Sequence, residues 1–281
     1  MRIVDLHVHS NFSDGTFSPT QLVKAAAKCG LDAFALTDHD TIAGIDEAVA
    51  AADALNLEVI PGIEISTCYK DKEIHIVGLF VDHHSEEFND FLGNEIERRH
   101  KRNLQMIDRF NEYGFPISME ELEDMFPGAV ITRAQFAKFM VKKGYVKSYS
   151  DAFERYLGDD KPLYVSRDKK SPSEAIRMIR AAKGVPVLAH PLLYHLTMGE
   201  LEDLCIQLKE CGLIGIETMY STYKGFDEQH VKQLAAKVGL LESGGSDFHG
   251  DNKPHIHLGS GMGTLRISYS YLEKLREARP V

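Results

Sequence analysis

The 281-residue sequence predicts an α/β fold, a largely parallel, barrel-like sheet of seven strands carrying a helical insertion. Three observations point to it. Short β-branched runs alternate with helical patterns, the alternation stops between Phe80 and Val185, and it then resumes.

Strands are expected near 2–6, 33–37, 58–66, 73–80, 185–189, 213–217 and 240–244. Helices fill most of the intervals. The first has Ser18 as its cap, Pro19 at the first helical position and Gly30 at its exit. A later one opens on Ser171 and Pro172, with Glu174 completing a capping box. Strands three and four are joined only by Ser66 to Lys72. A parallel crossover needs about a dozen residues, so a hairpin is expected, with the start of strand four beside the end of strand three. Glu86–Tyr113 reads as one long helix, followed by shorter ones near Ser118–Met125, Arg133–Lys143 and Asp151–Leu157. The barrel is therefore assigned to 1–90 and 166–281, and 91–165 to an insertion that caps it. Counted over 95–165, 12 Lys/Arg balance 12 Asp/Glu, so the net charge of −10 belongs to the remainder.

That acidic balance argues against a basic surface that coats nucleic acid. It does not exclude a nucleotide substrate, because bound divalent cations reverse the field around a carboxylate cluster. A hydrophobic content of 43% supports a packed core, and no apolar run approaches the roughly 18 residues of a membrane helix. The chain enters a strand from its first residues, which leaves no room for a signal peptide, so a cytoplasmic location is expected. In that setting Cys29, Cys68, Cys205 and Cys211, none in a C-x-x-C pair, are expected as free thiols.

The chemistry-bearing residues sit at strand ends. His7-Val8-His9 follows strand one, and residues two apart in an extended segment share a side, so both imidazoles can reach one metal ion. Asp14 follows in Ser13-Asp14-Gly15-Thr16, where turn formation is an equal reading. Thr37-Asp38-His39-Asp40 follows strand two. Glu64, flanked by Ile63 and Ile65 in strand three, is costly to bury without a partner, and a metal ion supplies one. The hairpin puts His75 close to Glu64, although His75 alone also suits a hydrogen-bonded core histidine. Strand five ends in Ala189-His190-Pro191. Strand seven runs into Ser246-Asp247-Phe248-His249, where Asp247 and His249 repeat the two-residue spacing. Taken together, His7, His9, Asp14, His39, Glu64, His75, His190, Asp247 and His249 form a candidate metal-ligand set at the face where barrels carry function. The remaining histidines fall in loops or on helices and are expected at the surface, His195 being the least clear of them.

These motifs resemble the polymerase and histidinol phosphatase (PHP) superfamily. The resemblance rests on Asp5-Leu6-His7-Val8-His9-Ser10, Thr37-Asp38-His39-Asp40, Pro61-Gly62-Ile63-Glu64, Ala189-His190-Pro191 and Ser246-Asp247-Phe248-His249, in family order. The insertion is similar to that of the branch acting on nucleoside 3′,5′-bisphosphates, AMP-like nucleotides or short RNA. The similar segment runs from Thr132-Arg133-Ala134 through Gly144-Tyr145-Val146 to Ala152–Gly158. The resemblance implies a distorted seven-stranded (β/α)7 TIM-like barrel and two or three Mn, Fe or Zn ions. It also implies a partition of ligands: His7, His9 and Asp247 at one ion, His75 and His190 at a second, Asp14, His39 and His249 at a third, with Glu64 bridging. Some members of the branch have Gly-Arg-Tyr after Ala-His-Pro, whereas this chain has Leu192-Leu193-Tyr194.

The function expected is metal-dependent phosphoester hydrolysis, a metal-bound hydroxide attacking a nucleotide phosphomonoester, with Glu64, His190 and Asp247 as catalytic residues. Mixed His and carboxylate ligation suits Mn, Fe or Zn better than Mg or Ca. Arg133 is the candidate substrate-binding residue, a solvated helix-start arginine being its plainer reading. The alternatives are a 5′–3′ exonuclease on short RNA, an amidohydrolase, or a non-enzymatic domain of the kind appended to polymerases. No membrane and no obligate protein partner are expected.

Overall fold

The structure, a computed structural model, describes residues 2–70, 72–158, 161–166 and 170–280. β1 (Ile3–Val8), α1 (Pro19–Cys29), β2 (Ala33–Leu36), α2 (Ile45–Ala52) and β3 (Glu58–Tyr69) form the first parallel half. Ser18 and Gln21 make a capping box at α1, and Gly30 leaves it in the left-handed region at φ 80°. β4 (Lys72–Leu79) returns antiparallel to β3 with Tyr69 opposite Lys72, so the hairpin is tighter than the sequence suggests.

Helices α3 (Glu86–Glu112), α4 (Met119–Met125), α5 (Arg133–Lys142) and α6 (Tyr149–Ala152) follow. The helix expected over Asp151–Leu157 is irregular, because α6 runs into a π-type turn at Phe153–Leu157. The βα rhythm then resumes with α7 (Pro172–Ala181), β5 (Val185–Leu188), α8 (Met198–Glu210), β6 (Gly215–Tyr220), α9 (Asp227–Val238) and β7 (Leu241–Gly245). Among the described residues there is an eighth strand beyond the seven expected. β8 (Ile267–Ser268) pairs antiparallel with Ile3 and Val4 and leads into α10 (Tyr269–Glu277). Two residues are too few to show a periodicity.

The sheet order is β7-β6-β5-β4-β3-β2-β1-β8, with β4 antiparallel to both neighbours. It nearly closes into a barrel. The Asp247 amide donates to His7 O at 2.9 Å and the His9 amide to Phe248 O at 3.0 Å, which brings the ends of β1 and β7 together. Gly245 permits this approach, because a Cβ there would stand 2.2 Å from His7 Cβ.

Apolar side chains form three clusters. One lies between the sheet and the outer helices, including Leu22, Ile63, Ile179 and Leu204. A second packs Val4, Ala33, Ile60, Val77 and Val187 against Leu272 and Leu275 of α10. The third, with Met106, Phe110, Phe136, Phe139 and Leu157, belongs entirely to residues 106–165. α3 joins the last to the barrel, since its first half contributes Phe88 and Leu92 to the outer-helix cluster. Cys29, Cys68, Cys205 and Cys211 are all free thiols.

Candidate metal centre

The nine candidate side chains converge around Glu64, which is buried near the middle of β3. Glu64 Oε1 lies 2.8 Å from His75 Nδ1 and 2.9 Å from His190 Nε2. Its other oxygen, Oε2, lies 3.1, 3.2 and 3.3 Å from His7 Nε2, His9 Nε2 and His39 Nδ1. The hairpin explains His75: it pairs with Ser66, and Ser66 shares a face of β3 with Glu64. His7 Nε2 and His9 Nε2 are 3.1 Å apart, and Asp247 Oδ1 is 3.2 Å from the latter. On the opposite side of His9, Asp14 Oδ1 is 3.1 Å from His249 Nε2, and its Oδ2 is 3.8 Å from His39 Nε2.

Among these nine side chains, four groupings could each hold an ion: His7-His9-Asp247, His7-Glu64-His190, His39-Glu64-His75, and His9-Asp14-His39-His249. The first and last contain two of the implied ligand sets, with His9 added to the last. His75 and His190 do not share a grouping, but both reach Glu64 Oε1.

The donor set fits metal ions. Ion–ligand bonds of about 2.0–2.2 Å separate adjacent ligands by roughly 3.0–3.4 Å, and several of the donor pairs here stand at 3.1–3.3 Å. The buried Nδ1 atoms of His9 and His190 have no hydrogen-bond partner, and that of His39 has only its 3.3 Å approach to Glu64 Oε2, an arrangement proteins rarely tolerate without a function.

Supporting groups aim these candidate ligands. Asp38 accepts from the Ser10 amide, Ser10 Oγ and Ser13 Oγ at 2.7, 2.6 and 2.6 Å, fixing the loop that presents Asp14. Asp5 accepts from the Ser246 and Gly259 amides, both at 2.8 Å, and so fixes the loop that presents Asp247. Tyr220 Oη and Lys253 Nζ hold Asp247 Oδ2 at 2.6 and 2.7 Å, leaving Oδ1 toward the histidines. Asp40, His190 and Asp247 have φ of 55°, 25° and 55°, a strained backbone of the kind that clusters at functional sites.

Burial opposes charge on all these groups, yet the ion pairs prevail at most of them. Burial pushes Glu64 up, but His7, His39 and His75 bring it well below the ordinary carboxylate range. Asp14 and Asp247 are lowered in the same way, mainly by His249 and by Lys253 respectively. Burial pulls His7 down, but Glu64 and Glu217 raise it well above its usual value. His9 and His75 overcome burial through their carboxylate partners and rise to about 9. For His39 burial wins, and it falls to about 3.

A cleft of about 270 Å³ opens beside this cluster. Asp14, His39, His75 and His190 line it from the sheet and its loops, and Arg99, Arg102, Arg133, Tyr149 and Tyr164 line it from the segment between β4 and β5. Arg133 Nη2 lies 2.8 Å from Glu73 Oε2, and Glu73 Oε1 is 3.3 Å from His75 Nε2.

Sequence reading missed Arg99, which is ion-paired with Asp40, as well as Arg102 and Glu217. A signal existed for each. The buried stripe of α3 runs from Phe88 and Leu92 to Met106 and Phe110, but Glu95, Arg99, Arg102 and Asn103 replace apolar residues in its middle. Glu217, between Ile216 and Thr218 in a strand, poses the same question as Glu64. His195 does not line the cleft.

The PHP domain model matches residues 5–157. A 5′-3′ exoribonuclease of Haemophilus influenzae is 38% identical over 87% of this chain and 89% of its own length. A 3′,5′-nucleoside bisphosphate phosphatase of Chromobacterium violaceum is 34% identical over 89% of this chain and 88% of its own. Among solved structures, a Bifidobacterium adolescentis protein whose name proposes a metal-dependent phosphoesterase superposes with a TM-score of 0.88. It is 29% identical, covering 100% of this chain and 97% of that one. With the model covering over half of the chain and the relatives nearly all of it, the chain belongs to the PHP domain family and is a metal-dependent phosphoester hydrolase.

Proposed function

We propose that this hydrolase cleaves a phosphomonoester of a nucleotide, a nucleoside 3′,5′-bisphosphate or an AMP-like nucleotide. The observation that carries the reading is the cleft, which joins the Glu64-centred cluster to three arginines and the rings of Tyr149, Phe153 and Tyr164. His7, His9, Asp14, His39, Glu64, His75, His190, Asp247 and His249 would hold two or three Mn, Fe or Zn ions. Such ions, when bound, neutralise phosphoryl oxygens and acidify water.

The chain's own residues supply position. Glu64 offers one oxygen to each side of the cluster, and in this reading Glu64, His190 and Asp247 would act through the ions they hold, with His190 lining the cleft where the phosphate would sit. Residues 91–165 act as the cap. Arg133 holds a second phosphate or the nucleoside through charge-assisted hydrogen bonds, with Arg102 lining the same cleft. The cap's aromatic rings offer faces to a base.

A second reading, 5′–3′ exonuclease action on short RNA, is favoured by the Haemophilus relative. No helix among the described residues is long and apolar enough to cross a membrane. The test is a product screen with Mn supplied, over nucleoside monophosphates, 3′,5′-bisphosphates, short 5′-phosphorylated RNA and an amide panel. Phosphate release fastest from a bisphosphate or monophosphate is expected. Mononucleotide release from RNA at a higher kcat/KM would replace the first reading with the second, and turnover of amides alone would sink both.

A further inference from the structure

We infer that Glu217 is a positioning residue for the metal centre, fixing two ligands at once: the ring orientation of His7 and the backbone of His190. The inference rests on the metal-centre reading above and adds to it a residue outside the nine.

Glu217 is buried on β6, and its two oxygens face two different strands. Oε1 lies 2.8 Å from His7 Nδ1, near the end of β1. Oε2 accepts the backbone N–H of His190 at 2.6 Å, just past the end of β5. The pairing of β6 with β7 slips between Glu217 and Met219, an irregularity of the kind that re-aims side chains. β7 packs between β6 and β1 here, and its Gly245 admits the close approach of His7, since a Cβ at that position would stand 2.2 Å from His7 Cβ.

Each contact has a chemical consequence. A carboxylate facing Nδ1 keeps a proton there, so when the ring sheds its other proton to bind an ion it is Nε2 that is freed, on the side of Glu64, His9 and Asp247. Such carboxylate–histidine–metal chains set both tautomer and orientation. At His190 the backbone sits at φ 25°, a conformation that a non-glycine residue keeps only when its surroundings hold it. The short hydrogen bond to Glu217 is such a hold, and it turns His190 Nε2 to Glu64 Oε1.

Glu217→Gln separates this role from mere packing. The glutamine has the same shape but only one acceptor oxygen, whereas Glu217 faces two donors. If its oxygen keeps the His190 amide, its NH2 group faces His7 Nδ1 and drives the ring proton to Nε2, where it blocks ligation.

The experiment is a competitive chelator titration of zinc on the full-length wild type and on Glu217→Gln. Nitrogen-15 NMR of the histidine rings in the zinc-loaded proteins accompanies it. The expected result is zinc binding weakened about 10–100-fold in the variant. In the wild type, His7 should be protonated at Nδ1 and ligated through Nε2. Equal zinc affinity in the two proteins would overturn the inference. So would a wild-type His7 ligated through Nδ1, a result that decides the matter even if the variant fails to fold. A wild type that binds no zinc or manganese would remove the metal-centre reading itself, and the inference with it.

Discussion

His75 Nδ1 lies 2.8 Å from Glu64 Oε1, because the β3–β4 hairpin sets His75 opposite Ser66, two residues beyond Glu64. From just past the end of the neighbouring strand β5, His190 Nε2 reaches the same oxygen at 2.9 Å. Glu64 thus touches both sides of the cluster, Oε1 facing His75 and His190 and Oε2 facing His7, His9 and His39, and its charge is what the surrounding imidazoles answer. Glu64→Gln keeps the volume and removes the charge. We expect kcat to fall by about 10³-fold or more, a loss of roughly 4 kcal/mol in transition-state stabilisation, with the circular dichroism spectrum retained. A variant that keeps over about a tenth of the wild-type kcat would rule out a bridging role.

The four ligand groupings share His7, His9, His39 and Glu64, so a single ion would leave several donors unused. Two or three equivalents of transition metal are expected by elemental analysis of protein purified without chelator and supplied with Mn. Chelation should abolish phosphatase activity, and Mn should restore it. One equivalent or fewer would mean that the cluster does not act as a multinuclear site.

How much of this was legible in the sequence depends on the range of the interaction. The Ser66–Lys72 connection was too short for a crossover, so local geometry alone fixed the hairpin and the neighbourhood of His75 and Glu64. The His-x-His spacing was equally local. The Arg99–Asp40 ion pair spans 59 residues and the Glu217–His7 contact 210, and no local pattern encodes such pairings. β8 escaped for another reason: Ile267 and Ser268 are a strand only because β1 has an edge beside them.

The site's titration gives a pH signature for chelated protein. Glu64, Asp14 and Asp247 are held below their ordinary values of 4.5, 3.8 and 3.8, so their contribution to stability is present above these and is lost as pH falls. His9 and His75 are raised from 6.5 to about 9. Their contribution is complete below pH 6.5 and disappears as pH rises through about 9. His39, lowered to about 3, works against stability only below 6.5. In chelator, the urea midpoint should therefore fall between pH 6.5 and 9. With Mn or Zn the trend should reverse, because ligation displaces ring protons. A chelated protein as stable at pH 9 as at 6.5 would contradict the ion-pair assignments.

The insertion meets the barrel through charge as well as packing. Arg99 of α3 pairs with Asp40 in a buried setting, and Asp40 Oδ1 also accepts the Ser66 amide at 2.9 Å. Arg99→Met leaves the Asp40 carboxylate without its guanidinium. Breaking one side of a buried pair costs about 3–5 kcal/mol, and that destabilisation is expected in urea unfolding. Faster amide exchange in α3 should accompany it. A loss under about 1 kcal/mol would place the pair in the weak class of exposed salt bridges.

Selectivity must come from groups beyond the metal ligands, since ions alone would hydrolyse any small phosphoester that reached them. Arg133 stands at the cleft edge, held by Glu73 at 2.8 Å, with Leu157 O 3.3 Å from Nη1 and the Tyr164 ring 5.2 Å away. This anchoring limits the freedom of a long side chain, so little entropy is lost when it meets a phosphate. Arg133→Ala should lower kcat/KM for a nucleotide by about 2–4 kcal/mol, the scale for truncating one partner of a buried charged contact. p-Nitrophenyl phosphate, which has no remote group to hold, should change much less. Arg133→Lys keeps the charge beside Glu73 but loses the forked geometry, so it should recover only part of the nucleotide activity. Equal losses on both substrates would show that Arg133 serves the chemistry or the fold, for instance by holding Glu73 beside His75. No loss on either would leave it a structural partner of Glu73, and substrate recognition would pass to Arg99 and Arg102.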